Sequence, residues 1–194
     1  MSKEERFGIA FKILFLGESN VGKNCIVNRF ANNIFDYNKY TISGAYKINK
    51  NMLIKDINKL INFEIWITPG QKKYRIMHRV LYNNTNAFIL VYDITNYSSF
   101  DEIKKYWMKE IKLRAPQNSR ILLILILFLI LVIIIVGNKN DIQINEKVSE
   151  FEVKEFSNQN NAIFHLTSAA NGNGINELFE KIGKCCINKY KLNI

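Results

Sequence analysis

Proline is nearly absent from this chain. Its 194 residues include only Pro69 and Pro116. No Pro/Gly-rich linker and no internal repeat divides it, so residues 1–194 read as one domain with a full-sized core. Cysteine is scarce as well. Cys25, Cys185 and Cys186 form no disulfide framework, which points to a reducing compartment. With only His78 and His165 and no Cys/His spacing of ligand type, a Cys/His metal centre is not expected. No cleavable leader is expected in the first twenty residues. Phe7 to Leu16 is apolar, but Lys12 breaks it and a glycine loop follows at once. Ser2 excludes N-myristoylation.

Acidic residues are outnumbered. The 27 Lys and Arg against 17 Asp and Glu leave a net charge of +10, a balance that invites a nucleic-acid or membrane partner. The lysines are scattered, however, and the chain is rich in Asn, Ile and Lys, residues of A/T-rich codons. The charge therefore reads as a solvated basic surface, and no nucleic-acid partner is expected. Apolar residues make up 48% of the chain, which suits a globular fold.

Strand and helix patterns alternate, as in a mostly parallel α/β sheet. Residues 9–16 (IAFKILFL) predict a buried first strand, and CIVNRFA opens the first helix. Residues 35–43 read as a loop, and 44–66 hold two strands ending in FEIW. ITPGQ (67–71) is a loop, and Tyr74 to Leu81 a short helix. AFILVYDI (87–94) is the clearest buried strand. Ser99 to Leu113 is helical, with Phe100, Ile103, Trp107 and Ile111 on one stripe. A strand ends at Val136, 146–158 is a polar helix, 162–166 a last strand and 175–190 a closing helix.

One segment breaks the order. Residues 121–136 are sixteen apolar residues in succession. As a strand they would span ~53 Å at ~3.3 Å per residue. As a helix they reach ~24 Å at ~1.5 Å per residue, short of a ~30 Å hydrocarbon core. LVIIIV (131–136) is β-branched and suits a strand, which leaves 121–130 as surplus. It reads as an apolar surface insertion, a translated non-coding stretch or a membrane-dipping element.

Residues 17–24 read GESNVGKN. The phosphate-loop pattern is Gly, four residues, Gly-Lys, then Ser or Thr. Gly17, Gly22 and Lys23 fit it; Asn24 stands where the hydroxyl belongs. The backbone from Glu18 through Ser19, Asn20 and Val21 to Cys25 would cradle phosphates at a helix N-terminus, and Lys23 would reach the β- and γ-phosphates. A second motif, NKND, follows a strand. Its Asp141 can accept two hydrogen bonds from N1–H and the 2-amino group of guanine; adenine offers no such pair. Asn138 can brace the loop and base, and the Lys139 stem can cover the base. Ser168, Ala169 and Ala170 could present a backbone N–H to the guanine carbonyl.

In that order these motifs resemble the Ras-like small GTPases, the Rab branch in particular. IWITPGQKKYR (65–75) is similar to that family's IWDTAGQERYR, and VYDITNYSSF (91–100) and WMKEI (107–111) are also Rab-like. The resemblance covers about residues 8–187 apart from 121–130. It implies a P-loop NTPase fold: a mostly parallel six-stranded sheet flanked by helices, with GTP/GDP and Mg²⁺ as cofactors. It further implies a monomer, cytoplasmic or peripheral on endomembranes, acting in vesicle traffic through exchange factors and effectors. Gln71 matches the family's water-orienting glutamine and would work beside Lys23. Phe35 matches the edge contact to guanine, or is a core aromatic, and Gly70 lies at the hinge near the γ-phosphate.

The departures bear on activity. Mg²⁺ needs octahedral oxygen ligation. Asn24 stands in place of one hydroxyl ligand; its carbonyl could reach the metal, but the longer side chain would crowd the site. Ile67 replaces the aspartate that holds a metal-bound water. Thr41 is the other candidate ligand if the preceding loop is one residue short; otherwise Ile42 takes that place. Pro69 replaces a small residue beside Gly70 and stiffens the hinge. These changes imply impaired Mg²⁺ handling and weak hydrolysis, or a module that does not cycle and instead occupies an exchange factor or effector. Cys185 and Cys186 are adjacent, as in lipidated Rab tails, but INKYKLNI follows and no CaaX box is present. They read as structural or surface cysteines, or as lipidation sites.

Overall fold

The structure is a computed structural model that describes residues 9–36, 44–114 and 131–189. Thr41, Ile42 and the surplus segment 121–130 lie outside the described residues.

Strand β1 (Ile9–Leu16) leads through the glycine loop into α1 (Lys23–Asn32). Strands β2 (Tyr46–Ile54) and β3 (Lys59–Ile67) form an antiparallel hairpin. A 3₁₀ segment, Lys72–Tyr82, precedes β4 (Ala87–Asp93). Helices α2 (Tyr97–Glu102) and α3 (Met108–Arg114) are joined by a π-helical turn, Ile103–Trp107. Then come β5 (Val132–Asn138), α4 (Glu150–Gln159), β6 (Ile163–Leu166) and α5 (Ile175–Lys189). The six strands are ordered β2-β3-β1-β4-β5-β6, and every pairing except β2 with β3 is parallel.

Alternation along the strands builds two cores. On one face, Ile13 and Phe15 of β1, Ile65 and Ile67 of β3 and Ile134 of β5 pack against Ile26 of α1 and Phe179 and Ile182 of α5. On the other, Leu14, Leu16, Phe88, Leu90 and Ile135 meet Phe100, Ile103, Trp107 and Ile111. Covered on both faces, β4 and β5 are buried at every position. The stripe expected from Phe100 to Ile111 is the one that packs. Asn96 caps α2 by accepting from the Ser98 N–H at 3.1 Å.

Some boundaries differ from the sequence pattern. The polar helix begins at Glu150 rather than 146, because Asn140–Asn145 forms a 3₁₀ turn and Ser149 is the N-cap. Strand β5 continues past Val136 to Asn138, so the first residue of NKND is still in the sheet. Ile67 closes β3 rather than opening the loop. The segment after Gln71 is a 3₁₀ helix. Cys186 is fully buried among the core residues of α5, and Cys185 packs partly against the same core, which agrees with the structural reading of that pair. Among the described residues no helix is long and apolar enough to cross a membrane.

Candidate functional site

Parallel strands bring their carboxyl ends to one edge of the sheet, and loops leaving that edge are where ligands bind in such folds. The loops after β1, β3, β5 and β6 meet there around a cavity of about 480 Å³. Ser19, Asn20, Gly22, Lys23, Asn24 and Cys25 line it from the first loop. Asn138, Lys139 and Asp141 line it from the third, and Ala169 and Ala170 from the fourth. Phe35 and Gly70 line it as well, whereas Gly17, Glu18, Val21 and Ser168, also expected at the site, are not among its lining residues. Phe35 also packs partly against the core.

The first loop is shaped by glycine. Gly22 has φ 93°, and a Cβ there would strike the Asn138 side-chain amide. Gly22 caps α1 without a side-chain bond, and the first turn of α1 holds no acid. The positive end of the helix is therefore left for an anion. Lys23 is buried, and its Nζ donates to the carbonyls of Gly17 and Glu18, both at 2.8 Å. Burial lowers its pKa to about 7, with Glu18 opposing the shift. An ammonium held among carbonyls in so dry a place gains from a phosphate beside it.

Asn138 ties three loops together. Its Nδ2 donates to the Val21 carbonyl at 2.9 Å. Its Oδ1 accepts from Thr167 Oγ1 and from the Ala169 N–H, both at 3.2 Å. Lys139 takes a left-handed φ of 71°, and its Nζ pairs with Asp93 Oδ2 at 2.6 Å. That pair lays the lysine stem along the cavity wall. Ser168 Oγ donates to Asp141 Oδ1 at 2.5 Å, which orients the carboxylate. The carboxylate can still accept a pair of donors from a base.

The metal-side residues arrange differently. The Tyr46 hydroxyl donates to Asn24 Oδ1 at 3.4 Å. Ile67 is wholly buried in the core with Phe63 and Ile65. Thr68 spends its hydroxyl on the Phe15 carbonyl at 2.9 Å. Among the described residues no group of three His, Cys, Asp or Glu is placed to hold a metal. Pro69 is buried beside Gly70, and a Cβ on Gly70 would collide with the backbone of Glu18 and Ser19. The hinge thus rests directly on the phosphate loop. Gln71 is the N-cap of the 3₁₀ segment and does not line the cavity.

Sequence reasoning missed several residues. Asp36, Thr68 and Ile142 also line the cavity. Arg29 of α1 holds the loop after β6, donating from Nε to Ala169 O at 2.9 Å and from Nη2 to Ala170 O at 2.6 Å. Its guanidinium also lies 5.8 Å from the Phe35 ring centre. No local pattern points to it, because its partners lie 140 and 141 positions away.

Known proteins are similar to the chain over most of its length. The Ras family profile matches residues 12–188. Ras-related protein Rab-5B of Dictyostelium discoideum is 38% identical over 96% of this chain and 79% of its own length. Human Ras-related protein Rab-22A is 36% identical over 89% of this chain and 81% of its own. The GTP-binding protein ypt5 of Schizosaccharomyces pombe is 35% identical over 94% of this chain and 80% of its own. The profile spans most of the chain, and these relatives align along nearly all of it. The chain therefore belongs to the Ras family of small GTPases and is Rab-like within it.

Proposed function

We propose that this protein binds GDP and GTP as a Rab-like switch in vesicle traffic, with weakened Mg²⁺ support and slow hydrolysis. The cavity itself carries the reading. A phosphate loop, a guanine-type carboxylate and a base-covering lysine stem meet in one space of about 480 Å³. Gly17 through Cys25 take the phosphates, while Asp141, Lys139, Phe35 and the Ser168–Ala170 loop take the base. Gln71 positions the water and Lys23 offsets phosphate charge.

The described residues fit Mg²⁺ poorly. Of the positions expected to support the metal, Asn24 alone among the described residues offers a side-chain oxygen, a neutral amide that already accepts from Tyr46. Ile67 offers nothing. Bound Mg²⁺ would neutralise phosphate charge; here Lys23 and the α1 N-terminus carry more of that load. Exchange factors and effectors would grip the segment after Gln71, where Ile76 and Val80 are 70% and 76% exposed. The working form is a monomer, cytoplasmic and peripheral on endomembranes.

The test is GDP and GTP affinity, with single-turnover hydrolysis, measured with and without Mg²⁺. Binding that hardly responds to Mg²⁺, with slow turnover, is expected. Strong Mg²⁺ dependence with brisk turnover refutes the impaired site. A second reading, a module that does not cycle and occupies an exchange factor or effector, draws on Asn24, Ile67 and the buried Pro69 together. It requires no turnover at all and a fixed preference for GDP.

A further inference from the structure

A half-buried ion-pair network lies behind the phosphate loop, outside the cavity. The Glu18 carboxylate accepts from Arg75 Nη2. It also accepts from the Trp107 indole N–H at 3.3 Å. Arg75 Nη2 donates as well to Glu102 Oε2 at 2.8 Å, and Lys72 Nζ donates to Glu102 Oε1 at 2.7 Å. The guanidinium lies 4.0 Å from the Tyr106 ring centre and 5.2 Å from that of Trp107. The side chains of Arg75 and Glu18 are only 11% and 19% exposed. The π turn supplies both aromatics, consecutive residues that reach the same cation.

Glu18 is an awkward residue at this place. Its main-chain carbonyl holds Lys23, so its carboxylate sits one residue from the phosphate-binding amides. An unpaired negative charge there, in a poorly hydrated setting, would repel a nucleotide phosphate. Arg75 cancels it. The same contact also fixes the segment that carries Gln71. Gly70 abuts Glu18 and Ser19 on one side of Gln71, and Arg75 grips Glu18 on the other.

We propose that Arg75 is a positioning residue of the nucleotide site, neutralising Glu18 behind the phosphate loop and pinning the Gln71 segment to that loop. The pin uses protein groups alone and needs neither a metal nor a γ-phosphate. It rests on the nucleotide-binding reading above.

The test is a double-mutant cycle on GDP affinity with the full chain. Arg75→Met keeps the stem but loses the charge, and weakens GDP binding about tenfold, an effect of about 1.4 kcal/mol. Glu18→Gln added to Arg75→Met removes the stranded carboxylate and restores most of the affinity. A merely packing role for Arg75 predicts no such rescue. Trp107 emission, read in a Trp66→Phe background, shifts in Arg75→Met because its carboxylate partner has lost its cation. Should Arg75→Met fail to fold, Arg75→Gln, polar but uncharged, takes its place, again with and without Glu18→Gln. Unchanged affinity in the single variant, or no rescue in the double, overturns the proposal. A wild-type protein that does not bind GDP overturns the nucleotide reading, and this proposal with it.

Discussion

The Asn138 side-chain amide donates to the Val21 carbonyl at 2.9 Å, across 117 positions of sequence. One buried side chain thereby locks the phosphate loop to the end of β5 and, through Ala169, to the loop after β6. Asn138→Ala strands a carbonyl and an N–H, each costing about 1–3 kcal/mol when buried without a partner. Urea denaturation should show a loss of that order, and GDP should leave faster. Unchanged stability would mean the loops hold themselves in place.

Asn24 and Ile67 make a paired prediction. Ile67→Asp alone buries a carboxylate in the core and should lower stability by about 3 kcal/mol or more. Asn24→Ser combined with Ile67→Asp should make GDP affinity respond to Mg²⁺. Thermal denaturation and GDP titration with and without the metal check both. A double variant indifferent to Mg²⁺ refutes the account of the metal side.

Asp141→Ala removes the carboxylate that Ser168 orients. Guanine preference over adenine should fall by about a hundredfold or more, because the matched donor pair loses its acceptor. Competition of GDP against ADP measures it. Preference that survives would move base recognition elsewhere.

Arg29 reaches two successive carbonyls with two different nitrogens. Lysine is a point donor and cannot span both. Arg29→Lys should therefore lose about 1 kcal/mol from the base loop, seen as faster GDP release. Release at the wild-type rate would make the contact incidental.

His165 joins β6 to the start of α5. Its Nε2 lies 2.8 Å from the Gly174 carbonyl and its Nδ1 3.5 Å from Lys181 Nζ, an arrangement that suits the neutral ring with the proton on Nε2. Burial, the largest cause, and Lys181 lower its pKa, while the Gly174 hydrogen bond opposes them. A histidine whose folded pKa lies below its unfolded value, near 6.5, supports the fold above that pH. The support is lost as pH falls from about 6.5 toward the folded pKa. Denaturation midpoints at pH 8 and pH 5.5 should differ, and His165→Gln should flatten that difference. An equal slope in the variant would place the titration elsewhere.

Much of the fold was legible because burial writes a period into the chain. IAFKILFL is β1 to the residue, and the Phe100–Ile111 stripe faces the core as its spacing demands. The site was legible where a motif is contiguous, as in GESNVGKN and NKND. It was not legible where a contact joins distant positions. Nothing near Arg29 announces Ala169, nothing near Glu18 announces Arg75, and the Tyr46 hydroxyl on Asn24 follows only from where β2 begins.

The sequence alone determined the family of motifs and the atoms that stand at positions 24 and 67, because both depend on which side chains the chain carries. An isoleucine at 67 can ligate nothing in any fold. Tertiary structure decided where those atoms went. It sent Ile67 into the core, gave the Asn24 oxygen to Tyr46 and set an arginine against the phosphate loop's own carboxylate. The reason is physical: composition limits which bonds can form, but burial and chain crossing choose among them.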